Sequence, residues 1–285
     1  MVVLKMIYSK DIDLSVDLQE LKALLKYKKI NIGFVESEDG NNCSIKVIYD
    51  EKASDSIEKV NMIKIYISNV LYKLVLKQYK DKELYHVLSE DFFFLKHDEL
   101  IELEEAIINT LNLEKFISEE LFVFCSNKVN DILDKIKECI EENNEINING
   151  FLTFRTKQFR EDIEDVIEKV VEKYMVEKEY KEFIKLLKYF VDIQESKIDK
   201  VFLYVQPQGG YVLKDELGED ILKVFLNELS DCKIGVDANL EDVIISGLIT
   251  SVPKKIMIYG KDSCTNKEFL DTIIKVFGER VIICS

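Results

Sequence analysis

The residues predict a mixed α+β chain in three parts. These are a small β-α-β-β-α unit over residues 1–80, a helical bundle over 81–198, and an α/β unit over 199–285 whose mostly parallel sheet is opened by a β-hairpin. Three observations lead there. Two β-rich runs flank a turn-forming cluster near residue 40. Apolar residues recur at helical spacing through most of the stretch from His97 to Ile193. After Lys200 short apolar strands alternate with helices, the pattern of a parallel sheet with right-handed crossovers.

Taken in order, Val2–Ile7 reads as a first strand. Ser15 is placed as the cap of a helix to Tyr27, with Val16, Leu18, Leu21, Leu24 and Leu25 on one face. Ile30–Glu36 and Cys43–Tyr49 form a hairpin around Ser37–Asn42, the second strand alternating as Cys43, Ile45, Val47 and Tyr49. A helix from Ser54 or Ser56 to Tyr79 carries a stripe that starts at Ile57 and ends at Val75. Phe92, Phe93 and Phe94 are expected to be buried. Helices follow over His97–Leu111, Glu114–Asn127 and Val129–Asn143.

The central stretch starts a helix at Asn149 or Gly150. Phe159, Ile163, Val166, Ile167, Val170 and Val171 keep one register. Val176, Tyr180, Phe183, Ile184, Leu187, Phe190 and Val191 keep another. The mismatch predicts two helices with a break near Met175–Lys178, and a buried Phe183 and Phe190. In the tail, Val201–Val205 and Tyr211–Lys214 form a hairpin around Gln206–Gly210. Then come a helix over Glu219–Leu229, a strand over Lys233–Val236, a helix from Leu240 capped by Asn239, a strand over Lys255–Tyr259, a helix over Lys267–Phe277 and a last strand over Val281–Cys284.

Composition excludes several classes. Of 285 residues, 47% are hydrophobic and only 2 are proline, so the chain is globular with short connections. A net charge of −15 disfavours nucleic acid and anionic membrane as partners. No apolar run is long enough to span a bilayer, and Met1–Ile7 is too short for a secretory core. The six cysteines are scattered with no CxxC pair, which predicts reduced thiols and no zinc. A cytoplasmic protein with no cofactor is the expectation, its oligomeric state left open.

Few residues suggest chemistry. No nucleotide-binding glycine motif occurs, and Gly209-Gly210 reads as a turn. Neither His86 nor His97 sits at metal-ligand spacing from another histidine or cysteine. Asp237 and Asp262 each follow a predicted strand. With Asn239 they define a candidate ligand edge beyond the strands' carboxyl ends, although turn and cap roles, which need only local hydrogen bonding, are the commoner use of such residues. Arg155, Lys157 and Arg160 form a compact basic group among Phe151, Phe154 and Phe159. They can meet an acidic partner or a phosphate, or pair within the chain, as Arg155 would with Glu195.

Three segments carry a family resemblance: Asn149-Gly-Phe-Leu-Thr-Phe-Arg155, Val176-Glu-Lys-Glu-Tyr180 and Phe183-Ile-Lys-Leu-Leu-Lys-Tyr-Phe-Val-Asp-Ile-Gln-Glu195. They resemble the YtxC-like family, and the resemblance continues around Glu241–Ser246 and Pro253–Ile256. It implies a cytoplasmic protein associated with sporulation in an endospore-forming bacterium, and it transfers no catalytic residue. The leading expectation is a non-enzymatic protein that works through contacts with an unknown protein partner. Arg155, Lys157, Arg160, Gln194 and Glu195 are its candidate interaction residues. The alternative is a small-ligand or phosphate-binding enzyme or sensor at the Asp237–Asp262 edge.

Overall fold

A computed structural model describes residues 1–49, 56–115, 118–231 and 239–284. Its contacts gather into two compact units, Met1–Met175 and Val176–Ser285. The boundaries expected at residues 80 and 198 differ from this division. One apolar cluster runs from Val3 to Val171, so the first strands and the helical middle share a single core.

The first unit is built on a four-stranded mixed sheet in the order β2-β3-β1-β4. Strands β1 (Val2–Ser9), β2 (Ile32–Asp39) and β3 (Asn42–Tyr49) are antiparallel neighbours, and β4 (Glu145–Asn147) adds in parallel to β1. The β2–β3 hairpin is tighter than expected, since Asp39 pairs with Asn42. Gly40, at φ +60°, supplies the left-handed turn residue. The alternation reads correctly: Ile45, Val47 and Tyr49 are buried and Lys46 is exposed. Helix α1 (Ser15–Tyr27) buries Leu18, Leu21 and Leu25 but exposes Val16 and Leu24. Ser15 does not cap it. Asp13 Oδ1 accepts from the Ser15 N–H at 2.9 Å, and hydrogen bonds first to the Ser15 side chain and then to its N–H hold the Asp13 carboxyl below its ordinary pKa.

Helix α2 (Ser56–Tyr79) buries Ile63, Ile67, Val70, Leu71, Leu74 and Val75, whereas Ile57 is exposed. A π-helical turn over Lys80–Leu84 passes into α3 (Tyr85–Asp91). The phenylalanine triplet is not buried as expected. Leu88 and Leu95 take the core positions on either side of a tight turn, so Phe93 and Phe94 face out and Phe92 is half-buried. Helix α4 (His97–Leu111) matches its expected bounds. The next two expected helices are one, α5 (Glu119–Glu142). Its buried stripe passes from Cys125 through Val129 to Ile132 without losing phase, and no glycine or proline interrupts it. Ser118 caps it by accepting from the Leu121 N–H at 3.3 Å.

Tyr79 closes α2 with its ring fully buried, and its hydroxyl has no hydrogen-bond partner among the described residues. Burial first, then the Glu164 and Glu83 carboxylates, push its pKa from the ordinary 10 up to about 12, against the pull of Arg160. A phenol whose pKa is raised by folding contributes stability that is fully present below pH 10 and is lost as pH rises to about 12. Urea titrations at pH 9 and 11.5 should therefore show a loss of stability, and Tyr79→Phe should reduce that loss. An unchanged slope in the variant would contradict it.

Helix α6 (Ile148–Ile193) is the correction with most consequence. The expected break near Met175–Lys178 is absent. Nothing between Phe151 and Ile193 is glycine or proline, so the backbone has no reason to stop there. The unit boundary nevertheless falls inside this helix, after Met175. The two apolar registers are real, and each serves its own core. Phe159, Ile163, Val166, Ile167 and Val170 belong to the first cluster, Ile184 and Val191 to the second.

The second unit carries a sheet in the order β6-β5-β7-β8. Strands β5 (Lys200–Val205), β7 (Lys255–Tyr259) and β8 (Val281–Cys284) are parallel, and β6 (Tyr211–Asp215) closes the predicted hairpin with β5. Helices α7 (Leu222–Asp231), α8 (Leu240–Ser251) and α9 (Lys267–Phe277) complete it. The strand expected over Lys233–Val236 lies outside the described residues. Gly260 follows β7 at φ +71°, and a Cβ there would stand 2.5 Å from the Val205 carbonyl oxygen. Only glycine allows that approach.

Candidate functional site

The family-like segment Asn149–Arg155 begins α6, and its first residues have clear structural work. The Asn147 side chain accepts from the Gly150 N–H at 3.0 Å, as a helix cap does. Asn149 accepts from the Ser9 N–H at 2.9 Å and donates to the Ser9 hydroxyl at 2.6 Å, clasping the end of β1. The basic group behind this clasp is not a single patch. On one helix Lys157 and Arg160 lie about 60° apart, with Arg155 about 140–160° from both. Arg155 donates to Gln158 at 2.8 Å. Arg160 pairs with Glu83 in the π turn and lies 3.5 Å from Glu164, and Lys157 is exposed. Nearby, Asp162 is buried between Lys128 and Lys135, an ion-paired contact of α5 with α6.

Gln194 and Glu195 follow the last turn of α6, and both are exposed. Arg155 therefore bonds to Gln158 in the first unit, while its expected partner Glu195 belongs to the second.

The second half of α6 has an unexpected surface. Tyr180, Ile184, Leu187 and Val191 turn into the core of the second unit. The Tyr180 hydroxyl meets Thr272 Oγ1 at 3.0 Å, and Lys275 Nζ lies 4.9 Å from its ring centroid. On another side, Phe183, Leu186, Tyr189, Phe190 and Ile193 lie open to solvent, from 43% exposed at Phe190 to 61% at Tyr189. The expected burial of Phe183 and Phe190 is thus overturned: α9 and the sheet need one face of this helix, and the helix has two apolar faces. Two apolar faces are the mark of a helix that packs between two neighbours. Among the described residues the second face stays open.

The sheet edge differs from the expected ligand edge. Asp237 lies outside the described residues. Asn239 occupies the N-cap position of α8 without a capping bond from its side chain, and donates to Glu241 at 3.5 Å. Asp262 is exposed in a 3₁₀ turn after β7. The polar node found there is built from other residues. Glu241 accepts from the Tyr211 hydroxyl and from the Asn266 amide. Cys264 donates its thiol to the Asn266 carbonyl at 3.1 Å and lies 3.6 Å from the Tyr211 hydroxyl. Burial, then the bonds to Glu241 and Cys264, drive the Tyr211 pKa upward, which keeps the phenol a donor. Glu241 thus ties β6, α8 and the loop before α9 together. No local spacing signals this, because its partners lie 30 and 25 residues away. Among the described residues no cluster of histidine, cysteine and carboxylates has the geometry of a metal site.

In the first unit a groove of about 620 Å³ runs between α1 and the β1–β3 strands, past Tyr8, Phe34 and Cys43. Its charged rim is internally paired at Lys10 and Glu38, 3.0 Å apart.

These units define a mixed α/β protein with a row of exposed apolar side chains along one face of a long helix. The sequence model of the YtxC-like family matches residues 65–282, which span α6 whole and nearly all of the second unit. The chain belongs to the YtxC-like family. A Bacillus subtilis (strain 168) relative, described as uncharacterized protein YtxC, is 25% identical over 256 residues, covering 86% of this chain and 85% of that protein. No solved structure matches. Among the described residues no helix is long and apolar enough to cross a membrane.

Proposed function

We propose that this chain is a cytoplasmic, sporulation-associated protein that acts by binding other polypeptides, with the open face of α6 as its contact surface. The observation that carries this is the row Phe183, Leu186, Phe190 and Ile193, exposed beside a helix face that already serves the core. Contiguous apolar surface of this kind costs solubility and is kept where a partner covers it. The sporulation context comes from the family resemblance, which is strongest in this same segment. The test is a photo-crosslinking residue at Tyr189 in the chain's own spore-forming host. Adducts with polypeptide should form during sporulation and disappear when Phe190→Glu is added, and spore yield should fall with them. Absence of any polypeptide adduct would overturn the contact reading.

A further inference from the structure

We propose that the open face of α6 pairs with the same face of a second copy of this chain, in antiparallel orientation about a two-fold axis. This rests on the contact reading above and names its occupant. Phe183, Leu186, Phe190 and Ile193 are spaced three, four and three residues apart, the a/d seam of a helix that packs against another helix.

The order of side chains selects the orientation. An antiparallel pair centred on position 188 sets Phe183 opposite Ile193 of the second copy and Leu186 opposite its Phe190. Every layer then joins one aromatic to one aliphatic side chain, and the helices keep a constant separation. A parallel pair would stack Phe on Phe and Leu on Leu, so thick and thin layers would alternate and leave gaps. The antiparallel solution is also isologous, so it closes at two copies.

Area and charge agree. A half-exposed large apolar residue, aromatic or aliphatic, offers roughly 100 Å², so the three aromatic and two aliphatic residues of the face bring roughly 500 Å² per copy. The pair would bury roughly 1,000 Å², the lower bound for a specific interface. Between Val176 and Glu195 four lysines stand among five carboxylates, a net −1 in a chain of −15. Self-repulsion is weak on this segment.

Sedimentation equilibrium on the full chain tests the proposal. The wild type should dimerise at micromolar concentrations. Phe190→Glu and Leu186→Lys, both at exposed positions, should each weaken the dimer by about tenfold or more with unchanged circular dichroism. Lys188→Glu, also exposed but off the seam, should leave it intact. Mixing the first two variants should restore association, by about tenfold over either alone, because only the antiparallel layer sets position 186 against position 190. A monomeric wild type, a fully dimeric Phe190→Glu, or no recovery on mixing would each overturn the proposal. A monomeric wild type whose position 189 still crosslinks to another protein in the host would sink self-pairing and leave the contact reading standing.

Discussion

Phe159→Ala is expected to lower the stability of the first unit by about 3–5 kcal/mol, while Phe183→Ala changes that of the second by less than about 1 kcal/mol. Both are phenylalanines on the same helix, and sequence periodicity treats them alike. Phe159 is 1% exposed and packs against Phe151, with ring centroids 6.2 Å apart. Phe183 lies on the open face. Removing the first leaves a cavity inside a close-packed core, whereas removing the second gives water a smaller surface to wet. Urea unfolding followed by circular dichroism reads both. Equal losses for the two substitutions at concentrations too low for self-pairing would mean that the open face is covered within the chain itself.

Gly247→Ala is expected to destabilise the second unit by about 2 kcal/mol, against the general rule that alanine stabilises a helix interior relative to glycine by about 1 kcal/mol. Gly247 is buried in α8, and a Cβ there would stand 2.0 Å from a ring carbon of Phe225 on α7. Phe225 is itself buried, so its ring has little room to withdraw. The two residues form a lock of missing side chain and aromatic ring that sets how closely α7 approaches α8. Thermal melts of Gly247→Ala, Phe225→Leu and the double variant should show strong coupling, with the double variant losing less than the sum. A stabilised Gly247→Ala would show that the helices can part at no cost.

Much of this fold was legible in the residues because its elements are regular. The β3 alternation, the α4 bounds and the hairpin-plus-parallel sheet of the second unit follow from period and turn chemistry alone. What failed has physical causes. The three residues of β4 are too few to show alternation. The registers of α6 shift at Met175 because the helix serves two cores, and a shift of stripe reads as a break when only the pattern is visible. Phe93, Phe94, Phe183 and Phe190 were expected inside because hydrophobicity reports a preference for burial and not the presence of a neighbour. The site was less legible still. Arg155, Lys157 and Arg160 look compact in sequence, yet the helix turns Arg155 away from the other two. Glu241 gathers Tyr211 and Asn266 across long separations and leaves no trace in local spacing.

The proposed role requires that the open face of α6 is covered when the protein works. Crosslinking from position 189 in the protein's own host addresses this most directly. The prediction is a polypeptide adduct that Phe190→Glu abolishes while the chain's cellular level stays unchanged. A face that yields no adduct, or an adduct that persists with glutamate at position 190, would contradict it.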